Sequence, residues 1–323
     1  MREYLRLRSF AVLASVAVAL ALLSALSLAA CGGVSPNARP KSATPSAAVT
    51  PSAAAVTPSP TLVLGLWQPG TDSQTQTAAV AKGFTSALQS EDFAQSNVWA
   101  KDTTFDMWAG DVHAVGVTAV RTLYEEEAAL GTWQAGSVLV GPGVVAYEGQ
   151  FLQTGFSSAA LDLLAVTGGK IVHEEVFLDR PSSAKAMPAT HWAIPPSSAD
   201  TLAQTKKTAA AYIQAVDTHD TAAIQALLSK DVLFYDTALK HEQRGQAPVM
   251  NWWGTMKPVA FQSIPAASVI AGPGWAVSRW TATGTGADRP GVTVPGATVM
   301  EIRGGKVVRL ALYYDSMTLP LHD

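Results

Sequence analysis

The chain has 323 residues, 48% of them hydrophobic and 15% charged, a formal charge of −3 and a single cysteine. That length accommodates two domains of ordinary size, each with its own core. Mild acidity disfavours nucleic acid as a partner, and one cysteine excludes an internal disulfide and a cysteine-cluster metal site.

The first thirty residues open with Arg2, Arg6 and Arg8 and continue as an apolar run from Phe10 to Ala30 that ends in small residues. This is the pattern of a secretory signal, and the run is also about long enough for an uncleaved anchor helix. Leu28-Ala29-Ala30-Cys31, followed by two glycines, resembles the lipobox of bacterial lipoproteins. The resemblance implies removal of residues 1–30, acylation of the Cys31 thiol, and attachment to membrane lipid on the extracytoplasmic face of a bacterial cell. Loss of that segment takes away three Arg and one Glu and moves the formal charge from −3 to −5. Residues 31–70 are rich in Pro, Ser, Ala and Thr, too poor in large apolar side chains to order themselves, and read as a tether. Fully extended at about 3.1 Å per residue, the tether would span on the order of 100 Å.

Beyond the tether the chain repeats itself. Lys101-Asp102, Phe105, Gly116 and Val120 match Lys230-Asp231, Phe234, Gly245 and Val249 at an offset of 129. Gly141-Pro142-Gly143 matches Gly272-Pro273-Gly274 at 131, and TGGKIVHEEVFLD matches RGGKVVRLALYYD at 136. The offset grows only across Gly/Pro-rich loops, so two domains, 71–182 and 198–319, explain the pattern.

In the second copy, apolar positions at Leu202, Ala209, Tyr212, Ile213 and Val216 predict a helix over 201–216, and a second follows over 222–228. A strand is expected at 231–236, and a third helix over 249–256 with Pro248 in its first turn. Strands then follow at 268–271, 275–284, 293–303 and 306–314, the last two joined by Gly304-Gly305, a tight hairpin. The first copy repeats this order. Val80, Phe84 and Leu88 lie on its first helix, residues 92–99 take the place of the second, and 117–127 that of the third; strands follow at 137–140, 144–153, 159–167 and 170–178. Helices first and an antiparallel meander afterwards give an α+β class.

The second copy resembles a SnoaL-like domain of the NTF2-like superfamily. The residues that carry the resemblance are Tyr212-Ile213-Gln214-Ala215-Val216, Leu227 to Phe234, the helix entry from Gly245 to Trp253, and Val299 to Val307 leading to Tyr313-Tyr314-Asp315. The resemblance implies a curved antiparallel sheet wrapped on a helix to form a cone, here two cones in tandem paired as an intramolecular pseudo-dimer. The family includes cyclases, isomerases and dehydratases beside non-enzymatic binding modules, so fold does not give function.

On the last strand Val308, Leu310, Leu312 and Tyr314 share one side, and Arg309, Ala311, Tyr313 and Asp315 the other. The first copy places Val172, Glu174, Val176 and Leu178 against His173, Glu175, Phe177 and Asp179. Which side is concave is open. Acid–base members of the family act inside the cone, which makes Asp315 the candidate base and Asp179, His173 and Tyr313 candidate ligand contacts. Asp236, His241 and Glu242 form a polar group near a pocket mouth, as Asp106, Asp111 and His113 do in the first copy. Nine tryptophans are many for this length, and Trp252 and Trp280, with Tyr212, suit a pocket for an aromatic or apolar ligand. His173 and Glu175 alone share a face in His173-Glu174-Glu175, too few for a metal site. No GxSxG, HExxH or P-loop motif occurs, and no cofactor is expected. The expected function is ligand or partner binding at the cell envelope, with cofactor-free acid–base catalysis or a scaffolding role as alternatives.

Overall fold

The computed structural model describes residues 67–153, 156–179, 200–237, 242–255, 259–263, 269–284 and 293–315. The signal, Cys31, nearly all of the tether and His241 lie outside the described residues. The first half comprises α1 (Gln74–Ser90), β1 (Trp99–Met107), a 3-10 turn, β2 (Val112–Val115), α2 (Val117–Ala128), β3 (Thr132–Gly141), β4 (Val144–Gln153), β5 (Phe156–Thr167) and β6 (Lys170–Leu178). The second comprises α3 (Leu202–Asp217), α4 (Thr221–Leu227), β7 (Leu228–Asp236), β8 (Glu242–Arg244), α5 (Gln246–Thr255), β9 (Val259–Ser263), β10 (Ile270–Gly272), β11 (Trp275–Gly284), β12 (Thr293–Arg303) and β13 (Lys306–Tyr314).

The described strands form two sheets of the same plan. One runs β2-β1-β6-β5-β4-β3, the other β8-β7-β13-β12-β11-β10, with β9 also paired to β11. In each, the first long strand lies parallel to the last while the meander is antiparallel. The sequence predicts none of β1, β2, β8 and β9. Residues 92–98, expected in the place of a second helix, form turns and irregular backbone that lead straight into β1; Asp92 accepts from the amide of Gln95, a local turn that competes with helix.

The doubled GGK is explained by an aspartate far away in sequence. Gly168 and Gly169 have φ of +60° and +71°, and Gly304 and Gly305 +57° and +70°, the left-handed values that a two-residue hairpin requires. Asp72 accepts from both amides of the first turn at 2.7 Å, and Asp200 from those of the second at 2.8 and 3.3 Å. Each aspartate directly precedes a helix N-cap: Ser73 with Gln76, and Thr201 with Gln204, close reciprocal capping boxes on α1 and α3. One turn in, Thr77 and Thr205 accept from the amides of Gly143 and Gly274 at 3.0 and 2.9 Å. Each helix start is thereby tied to two hairpins of its own sheet.

Each helix lies in the concave side of its sheet. Val80, Phe84 and Leu88 pack on Val145, Tyr147, Leu164 and Val176 in the first half. In the second, Ala209, Tyr212, Ile213 and Val216 pack on Trp280, Met300, Leu310, Leu312 and Tyr314. The opposite sheet faces meet each other: Leu139, Leu161, Leu163 and Phe177 form one cluster with Tyr235, Trp275, Val299 and Tyr313. Charge is buried in this layer. Arg309 donates to Glu148 at 2.5 and 2.8 Å and to Glu301 at 2.8 Å, Arg279 to Glu175 at 2.5 Å, and the Tyr313 hydroxyl to Glu148 at 2.7 Å.

Candidate functional site

The cone of the second half is walled by aromatic rings. Tyr212, Ile213 and Val216 of α3, Trp252 and Trp253 of α5, and Ser278, Trp280, Thr298 and Leu312 of the sheet enclose a cavity of ≈ 20 Å³. That space seats about one water. The alternation of the strands fixes what points inward: Ser278 and Trp280 on β11, Thr298 on β12, and Leu310, Leu312 and Tyr314 on β13. Trp280 is held on both sides, its indole N–H donating to Thr298 Oγ1 at 2.9 Å and its ring resting on Gly296. Trp252 and Trp253 meet edge to face with centroids 4.8 Å apart. Burial raises the Tyr212 hydroxyl far above its ordinary range.

At the end of β7 sits Asp236, fully buried. It accepts from the Trp252 indole at 2.5 Å and from the Tyr314 hydroxyl at 2.8 Å. Each of its oxygens thus has a donor. Its work is to fix the orientation of Trp252 and Tyr314 on the cone wall.

The structure therefore gathers Tyr212, Asp236, Trp252 and Trp280 around one cone. Other candidates lie elsewhere. Tyr313 belongs to the layer between the sheets, bonded to Glu148. Asp315 follows the last residue of β13, is 6% exposed, and takes the Arg309, Ala311 and Tyr313 side of the alternation, which faces the other sheet. Asp179 is fully buried and follows β6 on its corresponding side. His173 lies on that side too, its Nδ1 2.7 Å from Thr104 Oγ1 and its Nε2 3.8 Å from Asp106. Burial lowers its pKa, Asp106 opposes, and Arg279 lowers it further. Asp106 also contacts His113 at 2.5 Å, with Asp111 on the other ring nitrogen at 3.0 Å; the two contacts sit at the surface and raise the His113 pKa, the bond to Asp106 most.

The cone of the first half holds a polar group that sequence reasoning missed. Glu174 of β6, fully buried, accepts from the Trp99 indole at 3.1 Å and from the Tyr124 hydroxyl. Asp162 of β5 is 1% exposed, and neither of its oxygens has a hydrogen-bond partner among the described residues. Glu127, half-buried, lies in the last turn of α2. Burial pushes Glu174 and Glu127 up to about 7, and raises Asp162 well above the carboxylate range with help from Glu174 and then Glu127. The signal was there: β5 is apolar on both faces, so a charged residue within it has no solvent side to occupy.

Comparison with known families matches this geometry for the C-terminal part. The family profile of the SnoaL-like domain matches residues 209–310. The second half contains a SnoaL-like domain. No curated protein sequence matches the chain. Solved structures similar to it include an NTF2-like protein of unknown function from Cytophaga hutchinsonii ATCC 33406 (16% identity, 35% of this chain and 91% of that one, TM-score 0.30). Others are an LEH-like epoxide hydrolase from M. tuberculosis (16%, 36% and 86%, 0.30) and an NTF-2 like protein of unknown function from Burkholderia xenovorans LB400 (14%, 38% and 99%, 0.31). Among the described residues, no helix is long and apolar enough to cross a membrane.

Proposed function

We propose that this protein is a lipid-anchored extracytoplasmic binding protein whose SnoaL-like cone takes up a small apolar or aromatic molecule. In this reading, residues 71–182 are a second NTF2-like domain that pairs with 198–319 as an intramolecular pseudo-dimer, and Cys31 carries the membrane anchor through the tether of residues 31–70. The observation that carries the binding reading is the cone wall of Tyr212, Trp252, Trp253 and Trp280 around an internal cavity, with Ser278 and Thr298 as the polar lining. The cavity of ≈ 20 Å³ is smaller than any such molecule, so this reading requires the Trp252 and Trp253 side chains to move on binding. Acid–base catalysis through Asp315 has less support: that residue takes the inter-sheet side, while the buried carboxylate of this cone already accepts a bond on each oxygen.

Titration with indole, read by quenching of intrinsic tryptophan fluorescence, tests the binding reading. Saturable quenching that weakens at least tenfold in Trp280→Ala supports it; quenching that is absent, or equal in the variant, leaves a filled cone and a scaffolding protein. The anchor has its own test. Radiolabelled palmitate should appear in the wild-type protein expressed in bacteria and be lost in Cys31→Ser, and label retained in the variant would sink the lipoprotein reading.

A further inference from the structure

The cone of the first half is chemically unlike that of the second, and the difference lies at matched positions. Asp162 stands opposite Val176 in the β5–β6 pairing, where the second half pairs Thr298 with Leu312. Glu174 occupies the fifth place of β6, which Leu310 holds in β13. Two carboxyl groups thus replace a hydroxyl and an alkyl chain in the same interior. No Lys, Arg or His is among the groups that act on Asp162, Glu174 or Glu127. A buried anion without a paired cation is costly, so such a cluster either holds protons or takes a cation from outside.

A second observation comes from a neutral group. Tyr147 of β4 is directly opposite Asp162 in the ladder, so their side chains emerge side by side on the concave face. Its hydroxyl is buried in a residue 1% exposed and has no hydrogen-bond partner among the described residues. Buried hydroxyls almost always have one. Asp162 Oδ1, Asp162 Oδ2 and Tyr147 Oη are therefore three atoms able to accept a hydrogen bond that no described residue fills. Around them stand Phe84, edge-on to the Tyr147 ring at 5.5 Å and to the Tyr124 ring at 6.1 Å, and Trp99. Aromatic faces and carboxylates together suit an organic cation. Among the described residues no three His, Cys, Asp or Glu are arranged to hold a metal ion.

We propose that the cone of the first half is a binding site for a primary amine, whose ammonium group donates its three N–H bonds to Asp162 and Tyr147 while its carbon chain lies against the aromatic rings. An –NH₃⁺ group has three donors and no acceptor, and its charge compensates the cluster as water cannot. Without it the cluster keeps its protons, so binding releases protons and tightens as pH rises through about 7, where Glu174 titrates. The groups facing the site from every element are Glu174 on β6, Tyr147 on β4, and Tyr124 and Glu127 on α2.

The probe is methylammonium chloride, with n-butylammonium as the longer homologue, titrated into the full chain by calorimetry against potassium chloride at equal ionic strength. The expected result is saturable heat for the amines alone, affinity at least about tenfold higher at pH 8 than at pH 6, and proton release visible as a dependence on buffer ionisation heat. Asp162→Asn should weaken binding at least tenfold, Glu174→Gln less, and Asp231→Asn, at an exposed residue, not at all. Absence of amine heat in the wild-type chain overturns the proposal whatever the variants do, and leaves a protonated cluster with water. Equal affinity in wild type and a folded Asp162→Asn overturns it as well.

Discussion

At the scale of the residue, the SnoaL-like cone is set by contacts that admit little variation. A Cβ on Gly296 would stand 2.2 Å from the Trp280 ring, so Gly296→Ala must displace that ring. The expected cost is about 1–3 kcal/mol by overpacking, measured by urea denaturation, and pairing the change with Trp280→Leu should recover most of it. Trp252→Phe removes the donor to one oxygen of Asp236 and should cost about 1–3 kcal/mol, the penalty for stranding a buried acceptor. Single residues were the least legible part of the sequence. Trp252 and Trp280 stood out because large rings fill whatever interior they enter. Asp162 did not, because nothing local says that the inner side of one strand will be covered by a helix that begins almost ninety positions earlier in the chain. His173 and Tyr313 were drawn to a pocket by their chemistry, and a period of two cannot say which face of a sheet is concave.

At the scale of the element, the strands from 144 to 153, 170 to 178, 275 to 284, 293 to 303 and 306 to 314 were legible with their ends, because Gly-rich turns bound runs of β-branched and aromatic residues. Two kinds of element were missed: β8 is three residues long and exists through its register with β7, while β1, nine residues long, has the polar run Lys101 to Thr104 in place of a strand-like pattern. The two GGK hairpins show the same dependence on distant partners. Asp200→Ala removes both acceptors for the amides of Gly304 and Gly305 and should destabilise the chain by about 1–3 kcal/mol. Amide hydrogen exchange should accelerate at that turn and at the start of α3 together, since one carboxylate joins them. Asp72→Ala should do the same at Gly168, Gly169 and α1.

At the scale of the whole molecule, stability is coupled to pH through buried acids. Glu174 titrates near 7 when folded against 4.5 for an ordinary glutamate, and Asp162 is raised as well. The folded chain therefore binds more protons than the unfolded one between about pH 4.5 and 7, and stability falls as pH rises through that window, at about 1.4 kcal/mol per pH unit per group. Urea midpoints should be higher at pH 5 than at pH 8, and Asp162→Asn with Glu174→Gln should flatten the difference. The layer between the sheets sets a second expectation. Arg309→Met leaves Glu148 and Glu301 buried without their cation and should cost about 3–5 kcal/mol, whereas replacing all three by apolar residues of similar volume should be close to neutral.

The ions of that layer also make the two halves unequal partners. Glu148 and Arg279 are each the fifth residue of their strand, and His173 and Arg309 each the fourth of theirs, so like places in the two halves bear different ionisable groups. Arg309 meets Glu148 across the layer, and by the same quasi-symmetry Arg279 stands near His173. Two copies of the second half brought together by this face would set Arg309 against Arg279, two buried guanidinium groups with no anion from the partner between them. A copy of the second half cannot stand in for the first across this layer, because it would bring neither the Glu148 that compensates Arg309 nor the Glu175 that compensates Arg279.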